Sequence, residues 1–220
     1  QIRDDLTQYR DSIQFMWDQT VRGINKGLTL SEITELVQLP QKYENRYFTQ
    51  QFYGLVEHHV RQIHNGLRGW FDGDESSLFP LPASKRAEKL IDGFGGIEKV
   101  REEITKALEE DDLRWALELA TWLIRKEVNK NGRSDGGETE DRNRLASILR
   151  KIGQRTTSTK VRNWCLTRSL ELEGELDISR FRTHRFSERQ VLNQPTESFV
   201  HALRLLLEPE LSDGLDIRIG

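Results

Sequence analysis

Apolar residues recur every three, four or seven positions along most of this chain, which is the spacing of one face of an α-helix. In the first part of the chain this face consists of five side chains: Leu6, Ile13, Trp17, Val21 and Ile24. The pattern predicts a long helix over residues 1–26 that packs this face against a core. Gly27 follows at a position where helices commonly end.

The same spacing predicts further amphipathic helices along the chain. A short helix contains Ile33, Leu36 and Val37 and is capped by Thr29 or Ser31. Other helices are predicted over residues 51–70, 84–92, 97–109, 113–128, 141–153, 159–173 and 195–207. Residues 41–50 are polar and aromatic and are predicted to form a surface loop. Because the helical spacing extends over most of the chain, we expect an all-α helical bundle. Aromatic and alanine residues at the helix crossings are typical of tetratricopeptide-like hairpins, which we expect within it.

Three segments interrupt this pattern. Gly66 and Gly69 are expected to allow a close approach to another backbone. Residues 129–139, with the sequence NKNGRSDGGET, are predicted to form an exposed insertion. From Leu176 an arginine-rich, extended stretch follows, and residues 215–219 alternate as a β-strand does. Since a single strand is unstable without partners, this short extended C-terminal segment is expected to begin another domain.

Composition narrows the class of protein. The 220 residues include 33 Lys and Arg against 36 Asp and Glu, and this balance removes a strong electrostatic case for nucleic acid as a partner. The arginine-rich run 180–189 is therefore expected to pair with carboxylates rather than with RNA. No apolar run approaches the ~20 residues that a membrane span needs. Cys165 is the only cysteine, so an internal disulfide is excluded, and its apolar neighbours predict a buried thiol.

Four stretches of the chain carry motifs, in this order: YRD and FMWDQTVRGINKG within residues 9–27, FYGLVEHHV with GWFDG and PLP within 52–82, DLRWALELATWL at 112–123, and RNWCLT with EL within 162–172. Together they resemble, in the same order, motifs of the alkylsulfatase (dodecyl sulfate hydrolase) branch of the metallo-β-lactamase superfamily. Trp17, His59 and Phe71 stand where that family usually has histidine, asparagine and often tyrosine.

The resemblance implies three segments: the tail of a catalytic domain with lead-in helices (1–50), the helical alkyl sulfatase dimerisation domain (51–175), and a linker with the start of a truncated sterol-carrier-like domain (176–220). Enzymes of this family hydrolyse sulfate esters with two zinc ions that activate water. Their T-H-x-H-x-D-H and H-H-W-P metal motifs do not occur in this sequence. The two zinc ions are therefore expected in an upstream metallo-β-lactamase-like domain, and none in this chain.

The resemblance also supplies candidate substrate-binding residues. His58 matches the histidine of the family's V-[SE]-H-N motif and is expected to donate an N–H to a sulfate oxygen. His59 lies beside it, Arg68 is a candidate to face the sulfate, and Phe71 with Trp70 is a candidate wall for an alkyl-chain pocket. Each has a structural alternative, namely surface or partly buried histidines, an exposed arginine at a helix end, and core aromatics. No catalytic residue is expected in this chain.

A metal site built from Glu57, His58, His59 and His64 is a further alternative. Zinc on a helix takes ligands at positions i and i+4, as in H-E-x-x-H. His64 follows the other two histidines by six and five positions, so neither pair shares a helix face well. The spacing argues against this site.

Three hypotheses for the function follow. In the first, the chain is a dimerisation-domain fragment of an alkylsulfatase-like zinc hydrolase, inactive alone, that forms a homodimer and borders the pocket for a long-chain alkyl sulfate. In the second, it is a non-catalytic helical-hairpin module that binds a peptide or protein. The third is a lipid-binding module. The chain begins inside a helical pattern, which indicates a fragment. The resemblance implies a periplasmic or secreted protein, but the residues leave a cytoplasmic location open.

Overall fold

The computed structural model describes residues 2–44, 46–129, 132–178 and 187–214, and it divides into one unit up to Leu176 and a second from Asp177. The helices of the first unit are α1 (Ile2–Asn25), α2 (Leu30–Leu36), α3 (Gln41–Glu44), α4 (Val56–Arg68), α5 (Ala83–Phe94), α6 (Ile97–Glu109), α7 (Leu113–Arg125), α8 (Thr139–Arg155) and α9 (Thr159–Glu173), with 3-10 turns at Tyr47–Thr49 and Glu75–Ser77. The second unit contains α10 (Glu188–Asn193), α11 (Thr196–Ala202), a 3-10 helix (Leu203–Leu206) and α12 (Pro209–Ser212). The all-α prediction is confirmed.

Local sequence signals explain where several helices begin. The Thr29 hydroxyl accepts a hydrogen bond from the Glu32 amide at 3.3 Å, and the Glu32 carboxylate accepts from the Thr29 amide at 2.7 Å. This reciprocal capping box identifies Thr29, not Ser31, as the cap of α2. Asp112 caps α7 with a single hydrogen bond, which its carboxylate accepts from the Trp115 amide at 3.0 Å.

The larger core lies among α5 to α9. Helix α9 packs mainly on α8, while α7 lies against α5, α6 and α8. Ala116 and Ala120 of α7 are fully buried here, which lets the neighbouring helices approach closely. Cys165 is buried as predicted. These successive helix pairs agree with the predicted tetratricopeptide-like hairpins.

Only part of the predicted face of α1 is buried: Val21 and Ile24 are partly buried, and Ile24 packs against the core shared with α2 and α4. Leu6, Ile13 and Trp17 are each about half exposed. The residues of α1 that are buried are small, polar or flexible: Ser12, Met16, Thr20 and Gly23. A side chain at position 23 would place its Cβ 2.7 Å from Cγ1 of Ile33, so the glycine allows α2 to lie directly on α1. The helical period was predicted correctly. The side of α1 that packs most closely against α2, however, consists mainly of small residues.

Other predictions for this region also need correction. Helix α4 begins at Val56, and residues 51–55 form a turn instead of its first turns. The predicted loop 41–50 contains α3 and a 3-10 turn, because Tyr43 and Thr49 are buried and the Thr49 hydroxyl donates to the Tyr43 carbonyl. Gly66 and Gly69 make no close approach, since no other described residue has an atom within 4 Å of where a Cβ would stand.

The segment 129–139 is less exposed than predicted. Residues 134–137 are partly buried, and Asp135 forms an ion pair with Arg168 of α9. The predicted strand at 215–219 and most of the predicted extended stretch, including the arginine-rich residues 180–186, lie outside the described residues. None of the described helices combines the length and apolar character that crossing a bilayer would require.

Candidate functional site

His58 and His59 lie in the first turn of α4, and both side chains are exposed. Their backbone amides both donate to the Leu55 carbonyl, each at 3.0 Å. Because neighbouring residues on a helix do not face each other, the two imidazoles point in different directions. Either ring can therefore meet a ligand without the other.

The turn that leads into these histidines is held by residues from a distant part of the chain. We call residues 51–59 the histidine turn. The Thr157 hydroxyl donates to the Gln51 carbonyl at 3.1 Å, and the Ser158 hydroxyl donates to the Tyr53 carbonyl at 3.2 Å. The Phe52 carbonyl accepts from both the amide (2.7 Å) and the hydroxyl (3.0 Å) of Thr159. We call Thr157, Ser158 and Thr159 the hydroxyl clamp.

The surroundings of His59 favour its neutral form. The residue keeps an exposed surface, but neighbouring atoms shield part of the ring from water. This loss of hydration is the main cause of a pKa below the ordinary value, and the nearby charges of His58 and Lys160 add to it. A Cβ at Gly54 would lie 2.7 Å from Nε2 of His59, so a side chain at position 54 would displace the ring from this position. The Lys160 ammonium lies 4.1 Å from the centroid of the Tyr53 ring, which keeps its charge beside the turn.

Glu57 connects the histidine turn to α7. Its carboxylate pairs with Arg114 at 2.7 Å and with Arg61 at 3.3 Å. The hydrogen bond from Arg114 is the main reason that the pKa of Glu57 is lowered. These three side chains, together with Gln51 and Thr157, line one side of a polar cleft of about 740 Å³. The paired carboxylate makes Glu57 a positioning group rather than a metal ligand.

Arg68 and Phe71 lie at the other end of α4. Arg68 is the last helical residue and is exposed, whereas Phe71 is partly buried, 5.5 Å from the Trp70 ring. At 1.5 Å of rise per residue, ten residues separate His58 from Arg68 by about 15 Å along the helix axis. The four candidate residues therefore form two groups in this chain, not one site.

The alternative metal site is not formed. His64 lies on the buried face of α4 with Val56 and Val60, whereas His58 and His59 are exposed. Among the described residues, no three histidine, cysteine or acidic side chains come together as metal ligands. The described residues around α4 therefore do not assemble the ligand set of this alternative site.

The sequence reasoning did not identify the hydroxyl clamp. A run of four hydroxyl residues, 156–159, leads into the first residue of α9, which is the usual signature of a helix cap. That local signal is visible in the sequence. The partners of these hydroxyls lie more than a hundred residues earlier, and no local pattern indicates this pairing.

Comparison with known proteins places these features in a family. A family model described as alkyl sulfatase dimerisation matches residues 29–175, which include the histidine turn, α4 and the hydroxyl clamp. A linear primary-alkylsulfatase of Pseudomonas sp. is 34% identical over 100% of this chain, which spans 42% of that relative. An alkyl/aryl-sulfatase of Saccharomyces cerevisiae is 27% identical over 97% of this chain and 31% of its own length.

The fold agrees with a solved structure. The stereoselective inverting sec-alkylsulfatase Pisa1 from Pseudomonas sp. superimposes with a TM-score of 0.80, at 22% identity, over 97% of this chain and 32% of that protein. The chain thus spans less than half the length of these relatives. The resemblance inferred from the four motifs is confirmed, and the second hypothesis, a helical-hairpin adaptor, is not favoured. Because the family model covers more than half of its residues, the chain belongs to the alkyl sulfatase dimerisation family.

Proposed function

We propose that this domain forms a homodimer and borders the substrate pocket of an enzyme that hydrolyses long-chain alkyl sulfate esters such as dodecyl sulfate. The observation that carries the proposal is the histidine turn. It lies inside the matched family region and presents exposed imidazoles on a backbone that distant residues hold in place. An exposed donor on a fixed backbone is a suitable contact for an anionic group supplied by another domain.

The metal chemistry belongs outside this chain. In this proposal a metallo-β-lactamase-like domain encoded upstream holds two zinc ions, which supply the activated water. The proposal rests on the resemblance and on the short span of the chain relative to its relatives. The residues of this chain bind and orient the ester.

The separation along α4 indicates how a long substrate would lie. One sulfate group cannot contact both His58 and Arg68, which are about 15 Å apart along the axis. We assign the sulfate to His58, whose N–H donates to an anionic oxygen, with His59 beside it. The Trp70–Phe71 pair then lies toward the alkyl chain, as apolar pocket walls do. In this arrangement Arg68 remains a solvent-exposed helix-end residue.

Kinetics test the role of His58. In the polypeptide that joins this chain to the zinc domain, we expect His58→Ala to lower kcat/KM for dodecyl sulfate by about 10- to 100-fold, the value of one hydrogen bond to a charged group. His201→Ala, at an exposed histidine of α11, is the matched control and should leave it unchanged. Equal activity of the two variants would reject the assignment. The chain alone should show no hydrolysis.

Assembly is tested separately. Light scattering of the purified chain should give the mass of two chains, as the name of the matched family implies. A mass equal to one chain at the concentrations used for kinetics would contradict the homodimer without affecting the role of His58.

A further inference from the structure

The start of α9 departs from ordinary helix capping. Ser158 stands at the N-cap position, where a serine side chain usually accepts a hydrogen bond from an amide of its own helix. Here it accepts none, and the Ser158 hydroxyl donates instead to the Tyr53 carbonyl. Ser158 is fully buried at this contact. The hydroxyls of Thr157, Ser158 and Thr159 are thus directed to the histidine turn rather than to the amides of α9.

The contacts follow one another without a gap. Three consecutive carbonyls, those of Gln51, Phe52 and Tyr53, accept from the three consecutive residues of the hydroxyl clamp. A single hydroxyl can donate to a carbonyl in many relative orientations. Hydrogen bonds from three consecutive residues to three consecutive carbonyls, however, fix both the position and the orientation of the backbone that carries those carbonyls. The segment held in this way ends at Tyr53, and only Gly54 and Leu55 separate it from Val56, the first residue of α4.

The fixed segment determines where the histidines lie. The Gln51 side chain accepts a hydrogen bond from the Val56 amide at 2.8 Å and so joins the clamped residues to the first turn of α4. Gly54 lies against the His59 ring. A shift of the carbonyls that the clamp holds would therefore move the start of α4, on which His58 and His59 stand.

We propose that Thr157, Ser158 and Thr159 are positioning residues that set the geometry of the histidine turn for substrate binding. The part concerning substrate rests on the proposed function, whereas the part concerning the turn does not. Because α9 packs mainly on α8, the clamp also makes the substrate-facing turn depend on the helix pair of the dimerisation domain. These residues act through the turn and do not themselves contact the ester.

The turn is tested first in the chain itself. We compare the double variant Thr157→Val with Ser158→Ala, which removes two clamp hydroxyls, with Thr157→Ser, which keeps the hydroxyl. Thr105→Val is the matched control, because the Thr105 hydroxyl donates only to the Arg101 carbonyl of its own helix at 3.1 Å. In the double variant, hydrogen exchange of the His58 and His59 amides should become about tenfold faster. Thr157→Ser and Thr105→Val should leave it unchanged.

A spectroscopic readout separates positioning from general stability. Histidine titration by NMR should show the His59 pKa returning toward its ordinary value in the double variant, since the loosened ring becomes more hydrated while the charges of His58 and Lys160 remain nearby. Unchanged exchange and an unchanged titration in a folded double variant would overturn the proposal. If the double variant does not fold, Thr157→Val alone provides the same two measurements.

Kinetics of the polypeptide that includes the zinc domain then test the link to substrate. If the clamp positions a binding group, the double variant should raise KM for dodecyl sulfate by about tenfold with a smaller change in kcat. Thr157→Ser, which keeps the hydroxyl, should have the KM of the unchanged protein. A variant with faster exchange but normal KM would reject the substrate role and leave the positioned turn. If His58→Ala also has normal KM, the proposed function fails, whereas the exchange result still stands.

Discussion

At the scale of single residues, the ion pair between Arg101 and Asp141 links α6 to α8. The guanidinium makes two hydrogen bonds to the carboxylate, at 2.9 Å and 2.7 Å. The Asp141 side chain has no exposed surface, whereas Arg101 also contacts the exposed carboxylates of Glu98 and Glu138. The hydrogen bonds to Asp141 are the main reason that the pKa of Arg101 is raised. A fully buried carboxylate requires such a partner.

Removing the buried partner of Arg101 should lower the free energy of unfolding far more than removing an exposed partner. We expect Asp141→Ala to lower the free energy of unfolding of the chain by about 3–5 kcal/mol, because it leaves the largely buried Arg101 without its main partner. Glu98→Ala, which removes an exposed partner of the same arginine, should cost at most about 0.5 kcal/mol. Urea unfolding measures both values. Similar losses for the two variants would contradict this ranking.

The lowered pKa of His59 has a consequence for the pH dependence of stability. The folded chain opposes protonation of this ring, so the unfolded chain binds more protons near the ordinary histidine pKa of about 6.5. The contribution of His59 is therefore complete above that pH and is lost as the pH falls through its folded pKa. We expect the unfolding free energy to decrease between pH 7 and pH 5.5, and His59→Gln to reduce this decrease.

Denaturant unfolding at several pH values measures this effect. His201→Gln, at an exposed histidine outside the turn, serves as the control and should keep the pH dependence of the unchanged chain. If the unfolding free energy depends on pH in the same way for the unchanged chain and for His59→Gln, folding does not lower the pKa of His59.

At the scale of elements, the sequence pattern predicted only part of the packed face of α1, namely Val21 and Ile24. Its larger apolar side chains, Leu6, Ile13 and Trp17, are about half exposed, and Met16 with small residues forms the rest of the packed face. An exposed apolar row on a helix often marks a surface that another domain or chain covers. In the proposed enzyme this face is available to the catalytic domain.

A matched pair of substitutions tests which face packs within the chain. Ile33→Ala removes a fully buried side chain that lies against Gly23 and should lower the free energy of unfolding by about 2–5 kcal/mol. Ile13→Ala makes the same change at a position that is 45% exposed and should alter it by no more than about 0.5 kcal/mol. Thermal or urea unfolding gives both numbers. Equal losses would mean that the Ile13 face is covered in solution.

At the scale of the whole molecule, the described part of the first unit contains two separate apolar clusters. One is built by α5 to α9, and the other joins α1, α2 and α4. The hydroxyl clamp and the Glu57–Arg114 pair connect elements that belong to different clusters. The histidine turn lies at this connection, so polar contacts rather than a shared core determine its position.

The proposed homodimer makes stability depend on protein concentration. Because association occurs only in the folded state, each tenfold increase in concentration should stabilise the dimer by roughly 1.4 kcal/mol and raise the midpoint of unfolding. Circular dichroism over a hundredfold range of concentration measures the shift. A constant midpoint across that range, together with reversible unfolding, would contradict a dimer that folds and associates in one step.

The sequence by itself determined the local features of this protein. The apolar period predicted α6 and α9 with correct bounds, and the two candidate caps, Thr29 and Ser31, marked the start of α2 to within two residues. These signals are readable because each depends on residues only a few positions apart. The four motifs also identified the family, since their order along the chain is itself sequence information.

Only the tertiary structure decided which surfaces meet. The packed face of α1 follows from the fit between Gly23 and Ile33 in three dimensions, which a hydrophobicity pattern does not encode. The turn at residues 51–55 replaces predicted helix because hydroxyls from 157–159, far along the chain, bind its carbonyls. The separation of His58 from Phe71 likewise depends on α4 continuing as a helix from Val56 to Arg68. Contacts between distant segments depend on the whole fold, and a single sequence reveals them only where the local pattern already requires them.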